Sequence, residues 1–297
     1  MTAHTMVMRS VYVVESFVAS EHFQLDDEVE FRKIDDDDID RFGREPWSRR
    51  LPVQAPWLDT RQWICDIRHS GAKSFDTINW HNEGVQEIVT ALALTKSGSA
   101  NFKQLGSYLE SPLLHSGTGS GGRPISSGGI AGPVDLSAKD IEEFKSNYGR
   151  VQRIQNNSKS LLQLPLRRMR AASERTASED KLVDYVIGLE RLLARDTPAL
   201  ESTWQFRLRG AALLPESFGD AKQRMKLLGD LYGARSGIVH GNVSEVIELL
   251  PKAEAALRSI ILWYIRRTEA GANADQIGSE LDEALVGGGS TYAKDFA

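Results

Sequence analysis

The sequence predicts a predominantly helical protein in which an α+β N-terminal domain is followed by an all-α helical bundle. Segments of strand length rich in β-branched and aromatic residues occur only in the first third, whereas apolar residues later recur with the period of a helix. A glycine- and serine-rich stretch separates the two patterns. We therefore expect an α+β domain over residues 1–114, a flexible linker over 115–133, a bundle over 134–270 and an acidic, partly flexible tail over 271–297.

Three segments of the first part have the composition and length of strands, and one has the pattern of a helix. The predicted strands are Ser10–Val18, Glu28–Ile34 and Arg61–His69, and the predicted helix is Gly84–Thr95. Four consecutive carboxylates, Asp35–Asp38, could be considered as a metal site. Their spacing is not that of a calcium loop, and we favour a helix N-terminus, where negative charge meets the positive end of the helix dipole.

The second part contains start and stop signals of successive helices. Starts are predicted near Ser137, at a Thr176–Glu179 capping box, at Thr197 with Pro198, and at Ser217 with Asp220. Gly241 is expected to end one helix, and Pro251 to break or restart the last one, which runs from Val243 to about Arg267. Five or six helices joined by short turns indicate a bundle.

Charge and composition exclude several classes of protein. The chain carries a net charge of −5, whereas residues 134–270 hold 22 basic and 18 acidic side chains, a net of +4. Only this block favours an anionic partner. No apolar run approaches the ~20 residues of a membrane span and no secretory signal is visible, so we expect a cytoplasmic protein without a membrane partner. The single Cys65 reads as a buried strand residue, and no cofactor or metal site is indicated.

The most informative segment is LYGARSGIVHGN, residues 231–242, which places Arg235 and His240 five positions apart near a helix end. Five residues turn a helix by ~500°, so the two Cβ vectors diverge by ~140° and are separated by ~7.5 Å along the axis. Imidazole is the side chain best suited to carry a proton near neutral pH. Gly237 removes a side chain between them, so that backbone from another element or a second copy of the chain could approach closely.

Three segments in order, VDYVIGLERLLA, PALESTWQFRLRGAALL and LYGARSGIVHG, resemble the Apea-like branch of the HEPN superfamily over about residues 137–285. The resemblance implies a dimerising α-bundle in which an Arg-x4–6-His motif from each protomer faces a shared cleft. Many members are metal-independent endoribonucleases of toxin–antitoxin or antiphage systems. By position, Arg235 and His240 are the signature residues, while Glu190, Glu201 and Arg209 match supporting positions. Relatives often carry Asn, Asp or His after the arginine, where this chain has Ser236.

Elementary chemistry leads to the same hypothesis. Cleavage of RNA by its own 2′-hydroxyl needs a base, an acid and positive charge on the phosphorane. One histidine per chain supplies one proton-transfer group, whereas a two-fold homodimer supplies two together with two arginines. We therefore predict an RNA endonuclease with a composite site at a homodimer interface. His240 would act as base or acid, Arg235 as phosphate clamp and Ser236 as hydrogen-bond donor.

Several alternatives stay open at this point. A histidine at a helix C-terminus can simply cap carbonyl groups, and an arginine one turn back can pair with a core glutamate. The cleft could bind a nucleotide, RNA, or a regulatory or antitoxin-like partner protein without catalysis, or the chain could be the partner subunit of a nucleotide transferase. Arg167, Arg168 and Arg170 could contact RNA, although a solvated helix face is the simpler interpretation.

Overall fold

The computed structural model describes residues 7–42, 60–70, 78–109, 117–118, 125–126, 133–194, 199–241 and 246–286. The chain divides into two compact units, Met1–Val151 and Gln152–Ala297. Strands are found in the first unit and helices dominate the second, so the expected α+β and mainly helical character is confirmed. Within the described residues, no helix combines the length and the apolar composition needed to cross a bilayer.

The first unit is built on an antiparallel sheet. In chain order its strands are β1 (Val7–Glu15), β3 (Phe23–Gln24), β4 (Val29–Lys33), β5 (Trp63–Ser70), β6 (Asn101–Leu109), β7 (Gly117–Thr118) and β8 (Ile125–Ser126). Their order across the sheet is β3-β4-β5-β1-β6-β7, and β8 pairs with the opposite end of β6. Because β7 and β8 fall within residues 115–133, the predicted linker contributes two short paired segments, and its other residues up to 132 lie outside the described part.

The sheet and its helices share an aromatic and aliphatic core. Phe31 of β4 lies at the centre of this cluster, stacked on Phe23 at 4.9 Å and edge-on to Phe102 at 6.3 Å. Cys65 of β5 is fully buried, which confirms the prediction that it is a strand residue. Helix α2 (Ile78–Thr95) buries the predicted apolar stripe, whose members are Val85, Ile88, Val89, Leu92 and Leu94.

The acidic run after β4 begins a helix, as predicted. Helix α1 (Asp36–Phe42) has Asp36, Asp37 and Asp38 in its first turn. The guanidinium of Arg32 donates to both carboxylate oxygens of Asp38, at 2.6 and 2.9 Å. The aspartates therefore place negative charge at the start of α1, which stabilises the helix, and Asp38 also binds Arg32.

The boundary between the units differs from the predicted one. Strand β2 (Phe17–Ala19) pairs in parallel with β9 (Val134–Leu136), and helix α3 (Ala138–Gln155) follows at once. Asp140 accepts hydrogen bonds from the Ser137 hydroxyl at 2.7 Å and from Lys96, the residue after α2, at 2.7 Å. These contacts attach residues 134–151 to the first unit, so the bundle begins at Gln152 and not at residue 134.

The second unit is a bundle arranged around one helix. Its helices are α4 (Gln163–Glu174), α5 (Ser178–Leu193), α6 (Ala199–Leu213), α7 (Ala221–Val239), α8 (Leu250–Glu269) and α9 (Ala274–Val286). Helix α5 packs against α4, α6, α7 and α8. One stripe of α5, formed by Leu182, Val186, Leu189 and Leu193, is fully buried.

Three details of the bundle differ from the prediction. Helix α5 starts after Ala177 without a side-chain cap, so the Thr176–Glu179 capping box does not form. Helix α8 starts at Leu250 and not at the predicted Val243, and Pro251 lies in its first turn, where proline is tolerated, in agreement with the predicted restart there. Residues 274–286, part of the tail that was expected to be partly flexible, form helix α9, which buries Ile277 and Leu281.

Candidate functional site

Helix α7 contains Arg235 and Ser236 and ends directly before His240, so we call it the signature helix. Residues adjacent in the sequence define both of its ends. Asp220 accepts a hydrogen bond from the backbone of Gln223, whose side chain in turn accepts from the backbone N–H of Asp220, each at 2.8 Å. At the other end Gly241 has φ +82°, a left-handed conformation that glycine adopts without steric cost. Helix α7 therefore ends at Val239 with His240 as its C-cap residue. Gly241 follows directly, which agrees with the prediction that this glycine ends the helix.

Close packing of α6 against α7 fixes the orientation of the signature helix. The two helices form an antiparallel pair in which Gly210 faces the side chain of Leu228. Further along, the rings of Phe206 and Tyr232 lie 5.6 Å apart. Leu228, Leu231 and Ala234 are buried, which directs this stripe of α7 into the bundle.

Arg235 is held by Glu190 of the neighbouring helix α5. An Nη2 atom of Arg235 lies 3.8 Å from Oε2 of Glu190, and the two side chains are 31% and 23% exposed. Burial raises the pKa of Glu190, and the charge of Arg235 partly opposes that rise. The Nε atom of Arg235 is buried and has no hydrogen-bond partner among the described residues. The ion pair is therefore loose, and the guanidinium belongs to a side chain that is still partly exposed.

His240 and Ser236 complete the exposed end of the helix. The backbone N–H of His240 donates to the carbonyl oxygens of Ser236 and Gly237, each at 3.1 Å. The residue is exposed, and within the described part of the chain its ring makes no hydrogen bond or ion pair. The hydroxyl of half-buried Ser236 is likewise unengaged there. In one copy of the chain, the structure thus unites Arg235 with Glu190, and it shows no side-chain partner for His240 among the described residues.

Of the other supporting residues, Arg209 has a different environment. It lies on α6, is buried, and donates through Nε and Nη2 to Asp282 of α9, at 2.9 and 2.6 Å, and through Nη1 to the carbonyl of Leu193. These bonds attach α9 to the bundle. Glu201 belongs to α6, but its side chain lies outside the described residues.

The arginines of α4 are not equivalent. Arg168 Nη1 donates to Asp184 of α5 at 2.8 Å, and Arg175 Nε donates to the other oxygen of the same carboxylate at 3.0 Å. Asp184 is nearly inaccessible, with 3% of its side chain exposed. Arg168 therefore serves the packing of α4 on α5, whereas Arg167 is exposed and Arg170 is half-buried.

Sequence reasoning missed the two aspartates that neutralise arginines in the bundle. Asp184 interrupts the apolar stripe of α5, since it lies between buried Leu182 and Val186. A charge at a core position requires a partner, so this position was the available signal. Asp282 gave no comparable signal, because it lies among other acidic residues and its partner Arg209 is 73 residues away in the sequence.

Chemically, the end of α7 offers a loosely paired guanidinium, a hydroxyl and an exposed imidazole. Such groups can bind a phosphate and carry a proton. No family model matches the chain, and no curated protein or solved structure matches it either.

Proposed function

We propose that the chain is a metal-independent RNA endonuclease of the HEPN type, with its site formed at the ends of two α7 helices in a homodimer. The observation that carries the proposal is Arg235, whose side chain is 31% exposed and whose contact with Glu190, at 3.8 Å, is too long for a hydrogen bond. The accessible part of such a guanidinium can donate to the oxygens of a phosphate. The order of the three motif segments supports the same family.

Each side chain has a role in 2′-hydroxyl attack. One imidazole removes the 2′-proton, the second protonates the leaving 5′-oxygen, and Arg235 stabilises the charge of the phosphorane. Ser236 donates a hydrogen bond to a phosphate oxygen. Glu190 orients Arg235 and is a positioning residue. Because each protomer contributes one histidine to this site, one protomer alone does not supply both proton carriers to one phosphate.

Exposed apolar side chains at the same end of α7 support self-association. Val239 immediately precedes His240 and is 59% exposed, and Ile247, shortly after in the chain, is 73% exposed. Apolar surface of this kind is stabilised when a second subunit covers it. A homodimer joined here would bring two His240 side chains to one substrate.

The test compares wild type with His240→Ala and Arg235→Ala on a labelled single-stranded RNA in the presence of EDTA. Cleavage by wild type with 2′,3′-cyclic phosphate ends, lost in both variants, supports the proposal. Arg191→Ala is the matched control, because Arg191 is exposed on α5 next to Glu190 and makes no ion pair in the described part of the chain. Undiminished cleavage by His240→Ala would reject the assigned role.

Subunit mixing tests the composite site. If two imidazoles act on one phosphate, hybrids of wild type and His240→Ala are inactive, and activity follows the square of the wild-type subunit fraction. A linear dependence would show that each protomer works alone. A strictly monomeric state in sedimentation experiments would contradict the homodimer.

The loose pairing of Arg235 also suits a second function, which is binding without cleavage. In that case the same site holds an RNA phosphate, and Glu190 tunes the affinity. RNA that is retained but not cut, with affinity lost in Arg235→Ala and kept in His240→Ala, would favour this binding module over the nuclease.

A further inference from the structure

Helix α4 presents two arginines, Arg167 and Arg170, that pair with no carboxylate among the described residues. Arg168 and Arg175, by contrast, both donate to the buried carboxylate of Asp184. Arg167 and Arg170 form no ion pair and no side-chain hydrogen bond within the described residues. They are three positions apart, which places them side by side on one face of the helix.

The environment of Arg170 is unfavourable for an isolated cation. Burial lowers the pKa of Arg170, and the neighbouring charge of Arg167 adds to that decrease. Glu174, one turn further along, attracts Arg170 electrostatically but does not form an ion pair with it. A partly desolvated guanidinium beside a second one is stabilised by an external anion that supplies the missing hydrogen-bond acceptors.

We propose that Arg167 and Arg170 form a binding ridge for the sugar–phosphate backbone of single-stranded RNA. One guanidinium group can bind two oxygens of the same phosphate. Two neighbouring guanidinium groups therefore suit a polyanion better than a single small anion. The surrounding block of the chain also has the only net positive charge, +4 over residues 134–270.

The ridge is separate from the proposed cleavage site. Helix α5 packs against both α4 and α7, so one helix lies between the ridge and Arg235. Arg167 and Arg170 therefore anchor RNA and take no part in proton transfer. The choice of RNA rests on the proposed function, but the ridge is measured by binding alone, so its failure and the failure of the nuclease are distinguishable.

The experiment measures binding of a labelled 2′-O-methyl RNA, which lacks the attacking hydroxyl and stays intact. Anisotropy titrations at several salt concentrations are made with wild type, Arg167→Gln, Arg170→Gln and the double variant. The slope of log K against log salt is negative, and each lost phosphate contact to a single strand makes it shallower by ~0.7. The slope of the double variant is therefore expected to be shallower than that of wild type by ~1.4. Cleavage of ordinary RNA is recorded separately.

Two controls define the outcome. Arg191→Gln removes the same charge from exposed surface of α5 and is expected to leave the slope unchanged. Arg168→Gln, which breaks the pair with Asp184, is expected to lower stability without changing the slope. An unchanged slope in the double variant, or an equal decrease in Arg191→Gln, would overturn the ridge. The ridge would also be overturned if the double variant bound inorganic polyphosphate more weakly than wild type but bound RNA equally well.

Discussion

Two glycines of the α6–α7 pair allow the packing of the signature helix to be tested without touching the site. Gly210→Ala and Gly233→Ala make the same chemical change in the middle of neighbouring helices, and each gains up to about 1 kcal/mol of helix propensity. A Cβ at Gly210 would lie 2.5 Å from Leu228 Cδ1 and 3.0 Å from Leu193 Cδ1. A Cβ at Gly233 would meet nothing within 4 Å.

The expected magnitudes follow from these distances. Leu228 and Leu193 are fully buried, so neither can move aside freely, and overpacking of this kind costs about 1–3 kcal/mol. We expect Gly210→Ala to lose about 1–2 kcal/mol net and Gly233→Ala to gain up to about 1 kcal/mol. Their difference isolates the cost of overpacking.

Urea unfolding followed by far-UV circular dichroism measures both variants, with the slope m checked for constancy. In a thermal scan each kcal/mol corresponds to about 2–4 °C for a unit of this size. Equal stabilisation of the two variants would refute the close approach of α6 and α7. Destabilisation by Gly233→Ala at all protein concentrations would show that the exposed face of α7 is covered within the chain.

Two further predictions concern buried carboxylates of α5. Because burial raises the pKa of Glu190, its contribution to stability is present at acidic pH and is lost as pH rises through the raised pKa. The free energy of unfolding of Glu190→Gln, measured across that pH range, should therefore rise relative to that of wild type as pH increases. Curves of unfolding free energy against pH that stay parallel for the two proteins would disprove the raised pKa. Asp184→Asn should lose about 1–3 kcal/mol, a figure reduced because the partner arginines keep part of their hydration. Asp230→Asn, an exposed carboxylate of α7, is its control with a change near zero; an equally small loss in Asp184→Asn would refute the arginine clamp.

Local signals in the sequence were sufficient for much of the fold. β-branched and aromatic runs identified β1, β4 and β5, and the 3.6-residue period identified α2 and the main helices of the bundle. Asp220 and Gly241 defined the ends of α7, because capping chemistry depends on adjacent residues only.

Features that depend on distant partners were not predictable. Strand β6 contains Lys103, Gln104 and Gly106, which are poor strand formers, and its structure comes from pairing with β1. Helix α9 is bonded to the bundle through Arg209, which is far away in the sequence. The capping box at Thr176 does not form because α5 begins one residue later than it requires, with Ala177 at the N-cap, and alanine has no side-chain acceptor.

The candidate site was predictable in part for the same reason. The spacing of Arg235 and His240 at one helix end followed from the sequence, and Glu190, one of the two glutamates matched to supporting positions, lies 3.8 Å from Arg235. The division among the α4 arginines was not visible, because it depends on which of them reaches Asp184 of the next helix. The sequence gives the number of charged side chains in a segment, whereas the packing of the helices determines which of them form ion pairs.

The parallel pairing of β2 with β9 has a consequence for how the protein is made. Phe17 finds its ladder partner in Val134, so almost the whole first unit must leave the ribosome before that ladder can close. Contacts between such remote segments carry a large loop-closure entropy and slow folding. A nascent chain released just after the glycine-rich segment would therefore carry β2 with its edge unpaired, exposed to other growing polypeptides.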